Sequence, residues 1–254
     1  TQTFAQVTFA FPPLPTHAPD DQLALMVQQI DALCYQLNEF KTDAKTLPFT
    51  HINFFLPGAT DKGLHTGKIM AEALRFTRYL ADLPANICTP TFLAKQAKGL
   101  AKENPTLHCT HHSLADIKKL NMGGLLAVTQ GSEEPPCFIE LHYQGAEASV
   151  PPIVLIGKGV TFDTGGINIK PSDRMDEMKF DMCGAAQTIG IMQAISQLKP
   201  KHKVIGLIPT CFNMPDGNSY FPSSVVRMRS GKLVEIGNTD AEGRLILADA
   251  LSYT

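Results

Sequence analysis

Beyond residue 80 the chain alternates between short apolar runs and stretches of helical spacing, and this alternation limits the possible architectures more than any other feature. CFIELHY (137–143), PIVLIGKG (152–159) and VIGLIP (204–209) read as strands, and Ala185 to Leu198 reads as a helix between the last two. GLLAVTQGS (124–132) is taken as a further strand, and Leu107 to Cys109 as a short one. Thr91 to Lys102, with Thr91 as its cap, and Ser113 to Leu120 read as helices. Strands separated by helices predict an α/β fold, a mixed sheet flanked by helices.

The first residues read differently. VTFAF (7–11) is a strand, a turn rich in proline (Pro12, Pro13, Pro15, Pro19) follows, and an amphipathic helix runs from Gln22 to Phe40. HINFFL (51–56) is a second strand. A helix from Leu64 to Leu80 then ends in DLPANICTP, where Pro84 and Pro90 forbid its continuation. The expected organisation is a small α/β N-terminal domain over residues 1–60, a connecting helix over 61–80 and a second domain over 81–254.

With 254 residues and 44% hydrophobic content the chain can bury a real core. Lys and Arg number 22 against 24 Asp and Glu, so no general basic field attracts nucleic acid or an anionic membrane. No apolar run approaches the roughly 20 residues of a membrane span. Cys34, Cys88, Cys109, Cys137, Cys183 and Cys211 form no CxxC pair and no secretory leader is read before them. They are expected to be reduced, buried thiols of a cytoplasmic protein.

The chemistry concentrates in two segments. IVLIG ends at Gly157, and ligands gather at the carboxyl ends of strands in α/β sheets. Lys158, Asp163, the pair Gly165 and Gly166, and Lys170 follow there, and Asp181 precedes a helix that begins with small residues. Asp181 reads equally well as a helix-capping acid. The second segment is NTDAEGRL (238–245), with Asp240, Glu242 and Arg244 at alternate positions. On an extended loop that spacing points them to one side, whereas on a helix it splays them. Singly, each residue has an ordinary explanation as a surface lysine, turn acid, helix-start acid or ion-pair partner. Jointly, four carboxylates make an oxygen-rich site for divalent cations, and two dications would neutralise them. The eight histidines show no HExxH spacing, and His111 and His112 read as solvent-facing, so a His-based zinc site is not expected.

NTDAEGRL resembles the signature octapeptide of the leucyl aminopeptidase (cytosolic aminopeptidase) family. GKGVTFDTGG (157–166), with the INIKP and MDEMKFDMCGAA that follow, is similar to that family's first metal-binding segment. LPANICTP, LAVTQGS and NMPDGN also have counterparts there, whereas residues 1–60 are only weakly similar. The resemblance implies a metal-dependent aminopeptidase with two divalent ions, Zn or Mn with Mg or Co as alternatives. Lys158, Asp163, Asp181, Asp240 and Glu242 would hold them, with Asp163 and Glu242 serving both. Lys170 would polarise the scissile carbonyl, and Arg244 would bind a bicarbonate that shuttles a proton. Met178, Asn238 and Ala241 would line the pocket for the first side chain.

Such chemistry suits these residues. A water bridging two dications has its pKa brought down toward about 7, and a free amino terminus bound at one ion restricts cleavage to the first residue. A lysine ligand must be neutral, which from a pKa of about 10.4 costs roughly 4 to 5 kcal/mol at pH 7. Lys158 and Lys170 must therefore lie differently with respect to the ions.

The resemblance further implies peptide substrates, most of all those beginning with Leu or another apolar residue, and a cytoplasmic homo-hexamer. Family members continue past Thr254, so parts of the pocket and assembly interface are expected to be missing. The helix after NTDAEGRL is therefore expected to leave apolar surface uncovered. The rival reading is a catalytically inactive member acting as a structural or regulatory oligomer, with DNA binding as a further alternative that the charge balance does not favour. Phe212 and Phe221 stand where the family commonly has Glu and Arg, which suggests an apolar contact in place of a polar one.

Overall fold

The structure is a computed structural model describing residues 4–44, 46–145 and 150–254. It divides into two compact units, Thr1–Phe76 and Thr77–Thr254, and the division falls inside a single long helix.

In the first unit, strands β1 (Phe4–Ala10) and β2 (Phe49–Phe55) pair in parallel, from Phe4 opposite Phe49 to Ala10 opposite Phe55. Helix α1 (Pro19–Cys34) starts on Pro19, whose fixed φ suits a first helical turn. It buries Leu23 and Val27 with Leu56, and Phe11, Phe54 and Leu64 pack around them. The proline-rich turn is held by buried Gln22, whose Nε2 donates to the Pro12 carbonyl at 2.9 Å and whose Oε1 accepts from Leu14 N at 2.8 Å. The helix stops at Cys34 rather than Phe40. Tyr35 leaves it in an extended conformation that the apolar spacing through Leu37 and Phe40 does not mark.

Helix α2 (Asp61–Asp82) leads into the second unit. There α3 (Pro90–Glu103) is capped by Thr89, not Thr91, because Pro90 takes the first helical position and Phe92 N donates to Thr89 Oγ1 at 3.2 Å. Strand β3 (Leu107–His112) and helix α4 (Leu114–Lys119), capped by Ser113, match the expected elements. GLLAVTQGS does not form a strand: it is helix α5 (Gly123–Val128) followed by a 3-10 turn, Thr129–Gly131. A short apolar run cannot by itself separate strand from buried helix, and the glycines serve packing instead. A Cβ on Gly124 would come within 2.7 Å of the Leu245 carbonyl. Buried Asp249 accepts from Leu125 N at 3.0 Å at the start of α5 and from Arg229 N at 2.8 Å.

The sheet is mixed, as expected. Strands β4 (Cys137–Tyr143), β5 (Ile153–Ile156), β6 (Gly159–Asp163) and β7 (Val204–Asn213) join β3 in the order β3-β4-β7-β5, with β6 also on β7. β3 with β4 and β4 with β7 run antiparallel, while β5 and β6 run parallel to β7 and occupy its two halves in succession. Helix α6 (Cys183–Leu198) lies against the face where Gly206 leaves room for Thr188 and Met192. On the other face Phe138, Val160, Leu207 and Cys211 pack with α5 and with Leu245, Ile246 and Ala250 of α7 (Glu242–Leu251). A small hairpin, β8 (Val225–Arg227) with β9 (Leu233–Glu235), completes the unit.

His112 is not solvent-facing. Buried Glu140 on β4 accepts from His112 Nε2 at 2.5 Å, His142 Nε2 at 2.9 Å and Tyr253 Oη at 2.8 Å. The Tyr253 ring sits edge-on to Phe138, with the Arg229 guanidinium 4.9 Å from its centre. The six cysteines are free thiols. Cys88, Cys137 and Cys211 are buried, and Cys34, Cys109 and Cys183 are half-buried. Among the described residues no helix is long and apolar enough to cross a membrane.

Candidate metal centre

The carboxyl ends of β6 and β7 lie side by side, Asp163 opposite Asn213, whereas β5 ends earlier along β7, with Ile156 opposite Leu207; the chemistry-bearing residues follow these strand ends. Lys158 occupies the step between β5 and β6, and its carbonyl accepts from Ala185 N at 2.8 Å at the start of α6. Asp163 is the last residue of β6. Gly165 and Gly166 then adopt φ of 87° and 69°, which a side chain would make costly, and Gly165 N turns back to Asp163 Oδ1 at 2.8 Å. Asp181 lies on a 3-10 segment, Met175–Met182, and does not cap α6. Asp240 lies on the 3-10 turn Thr239–Ala241, and Glu242 is the first residue of α7.

Lysines and carboxylates interleave. Lys158 Nζ lies 2.7 Å from Asp181 Oδ1 and 2.6 Å from Glu242 Oε1. Lys170 Nζ lies 3.0 Å from Asp163 Oδ2 and also contacts Asp240 Oδ1. The side chains of Asp163 and Glu242 are only 3% and 1% exposed. Four carboxylates face two ammonium groups, so the cluster carries excess negative charge largely out of water, an arrangement that further cations would relieve. Burial pushes the Asp181 carboxyl up to about 6 despite Lys158 beside it. Burial also works against charge on both lysines, but their carboxylate partners outweigh it and hold each amine above its ordinary value.

The donor set fits divalent cations. Asp163, Asp181 and Glu242 each bring one oxygen within 4.8 Å of the others, and Asp181 Oδ2 is buried without a hydrogen-bond partner. Oxygen-rich sites of this kind suit hard or borderline dications. Gly243 helps to seat Lys158, since a Cβ there would lie 2.9 Å from Lys158 Nζ.

The structure thus brings together Lys158, Asp163, Lys170, Asp181, Asp240 and Glu242. Arg244 is placed differently: α7 begins at Glu242, so the extended-loop reading of NTDAEGRL does not hold. Two residues along a helix is a turn of about 200°, and while Glu242 points inward, Arg244 is exposed with no ion pair among the described residues. Met178 is half-buried on the same 3-10 segment as Asp181, and Ala241 is half-buried between Asp240 and Glu242. Asn238 is exposed, and its Oδ1 accepts from Asp240 N at 2.8 Å, an Asx turn that starts the acidic segment. Phe212 is half-buried opposite Phe162, and Phe221 is 58% exposed.

Two further residues are central to this geometry and are not among the expected site residues, although Thr239 lies within NTDAEGRL and Asn213 opens NMPDGN. Thr239 is fully buried, donates to the Gly165 carbonyl at 2.6 Å and accepts from Asn168 N at 2.8 Å, joining the two ligand-bearing segments. Asn213 is the other. Neither is charged, and the spacing of a hydroxyl and an amide says nothing about what they reach.

A family model described as the catalytic domain of the cytosol aminopeptidase family matches residues 75–254. The chain is 46% identical over 253 residues to a probable cytosol aminopeptidase of Legionella pneumophila (strain Corby), covering 99% of this chain and 52% of that protein. It is 53% identical over 195 residues to one of Cupriavidus necator, covering 77% and 38%. Among solved structures, the bottromycin maturation enzyme BotP in complex with Mn aligns with a TM-score of 0.86 at 32% identity, over 96% of this chain and 52% of that one. The chain spans about half the length of the curated relatives it matches. It belongs to the cytosol aminopeptidase family, and residues 75–254 are its match to that family's catalytic domain.

Proposed function

We propose that this chain carries the metal centre of an aminopeptidase that hydrolyses the first residue, an apolar one such as Leu, from peptides. The carrying observation is the buried cluster of four carboxylates and two lysines, with Asp181 Oδ2 left without a partner. Lys158, Asp163, Asp181, Asp240 and Glu242 would hold two divalent ions, zinc or manganese. Bound there, the ions would supply positive charge that polarises a peptide carbonyl and acidifies water at neutral pH.

The chain's own residues have separable tasks. Lys158 sheds its proton to become a ligand, so filling the site is proton-linked. Lys170 keeps its proton: two of its three N–H groups serve Asp163 and Asp240, leaving one for a substrate carbonyl oxygen. Arg244, exposed on α7, would recruit a bicarbonate or similar anion that relays a proton. Met178, Asn238 and Ala241 would border the first side chain. In the whole protein we assign residues 81–254 to the catalytic domain, 61–80 to a connecting helix and 1–60 to an accessory domain, within a cytoplasmic homo-hexamer.

Release of leucine from leucine anilide with added Mn²⁺ or Zn²⁺ tests the activity. Hydrolysis that Asp240→Asn abolishes is expected; no hydrolysis, or full activity in Asp240→Asn, overturns the reading.

A further inference from the structure

Asn213 ends β7 opposite Asp163, the last residue of β6, and is fully buried. Its amide nitrogen carries two hydrogens and both are used: Nδ2 donates to Asp163 Oδ1 at 2.7 Å and to the Thr239 carbonyl at 3.1 Å. Two acceptors on one side fix which end of the amide is nitrogen. The Asn213 backbone carbonyl accepts from Thr164 N at 3.0 Å and Thr164 Oγ1 at 2.8 Å. One residue therefore grips both the strand end that bears Asp163 and the turn that bears Asp240 and leads into Glu242.

Resting on the reading of this cluster as a dication site, we propose that Asn213 is a positioning residue. It turns Asp163 so that Oδ1 is consumed inside the protein and Oδ2 faces the site, and it holds the Thr239 turn in register with β6.

The geometry supports both halves. Asp163 Oδ1 takes Asn213 Nδ2 and Gly165 N, whereas Oδ2 meets Lys170 alone among the described residues. Rotating the carboxylate would leave two buried donors unpaired, which the interior penalises. On the other side, the Thr239 carbonyl is shared between Asn213 Nδ2 and Tyr220 Oη, the latter at 2.8 Å. The Thr239 hydroxyl meanwhile reaches the Gly165 carbonyl, so the turn is clamped from two directions. The far end of the Asn213 amide packs against the glycine loop, where a Cβ on Gly166 would lie 2.9 Å from Oδ1. Partners that orient ligands in this way commonly carry about 10–100-fold in metal affinity or activity.

The test is calorimetric titration of Mn²⁺ into the intact protein freed of metal, together with leucine anilide kinetics at saturating Mn²⁺. In Asn213→Leu, close in size but without hydrogen bonds, Mn²⁺ affinity is expected to fall about 10–100-fold. kcat should fall with little change in KM, because Asn213 faces ligands rather than substrate. Where circular dichroism shows that Leu is not tolerated, Asn213→Ser, smaller and too short to span from Asp163 to Thr239, is expected to show the same loss. Asn218→Ala, exposed on the same loop, should bind as wild type. Unchanged Mn²⁺ affinity and kcat in a folded Asn213 variant overturns the positioning role alone. A wild type that neither binds Mn²⁺ nor hydrolyses the substrate overturns the dication reading and this role with it.

Discussion

Two polar clusters are buried in the second unit, and they are built on opposite principles. Around Glu140, one carboxylate receives three donors, from His112, His142 and Tyr253. Burial alone would raise its pKa, but those partners outweigh it and hold the carboxyl below its usual value. The charge is welcome there. Around Lys158 and Lys170, four carboxylates share two ammonium groups, one carboxylate oxygen has no partner, and Asp181 is pushed up to about 6. A satisfied cluster holds structure together, whereas one with excess charge and an unpartnered oxygen has the chemistry of a binding site. The difference separates scaffold from site without reference to residue type, since acids occur in both.

The largest effect should come from removing a deeply buried acid of the unsatisfied cluster. Asp163→Asn should lower leucine anilide hydrolysis by more than about 100-fold, beyond the usual cost of an outer partner, while the fold persists because the amide oxygen can still accept from Asn213 Nδ2 and Gly165 N. Retained activity with retained fold would erase the contrast between the clusters.

Gly243→Ala sharpens it by separating stability from function. In a helix this change gains up to about 1 kcal/mol of propensity, but the new Cβ displaces the Lys158 amine from Asp181 and Glu242. The expected outcome is a midpoint in urea equal to or above wild type with hydrolysis reduced about 10-fold or more. Equal loss of stability and activity would contradict it.

The satisfied cluster should behave the other way. Glu140→Gln is expected to cost about 1–3 kcal/mol at pH 7, read from urea midpoints, with hydrolysis by the folded protein unchanged. Because the folded-state pKa of Glu140 is depressed, its contribution is fully present above the unfolded value and is lost as pH falls through the folded one. The gap between wild type and variant should therefore close below about pH 4.5, the ordinary value of a glutamate. A gap that stays constant down to pH 3 would show that the carboxylate charge is not what stabilises.

The smallest effect is expected at Phe221, which is exposed. Phe221→Ser should shift stability by no more than about 0.5 kcal/mol in the same measurement.

Much of this was legible in the sequence, for identifiable reasons. The strands around Ile139, Leu155 and Leu207 announce themselves by apolar runs, and the six charged residues of the cluster by their density at strand ends. α5 is not legible as a helix because Leu125, Leu126 and Val128 suit either element, and the close approach of Gly124 to Leu245 is a tertiary contact. β6 is not legible as a separate strand, because its five residues include glycine, threonine and aspartate. The alternate spacing of Glu242 and Arg244 suggests one shared side, but α7 starts at Glu242 and turns Arg244 outward. Asn213 and Thr239 lie inside quoted motifs, but their roles are not legible there, because they rest on contacts 50 and 74 residues away in sequence.

The central claim is that the unsatisfied cluster is completed by metal ions. Metal content of the intact protein after equilibration with Mn²⁺ and removal of free ions measures it most directly. Two ions per chain, reduced in Asp240→Asn, are predicted; a folded protein that retains none would contradict the account.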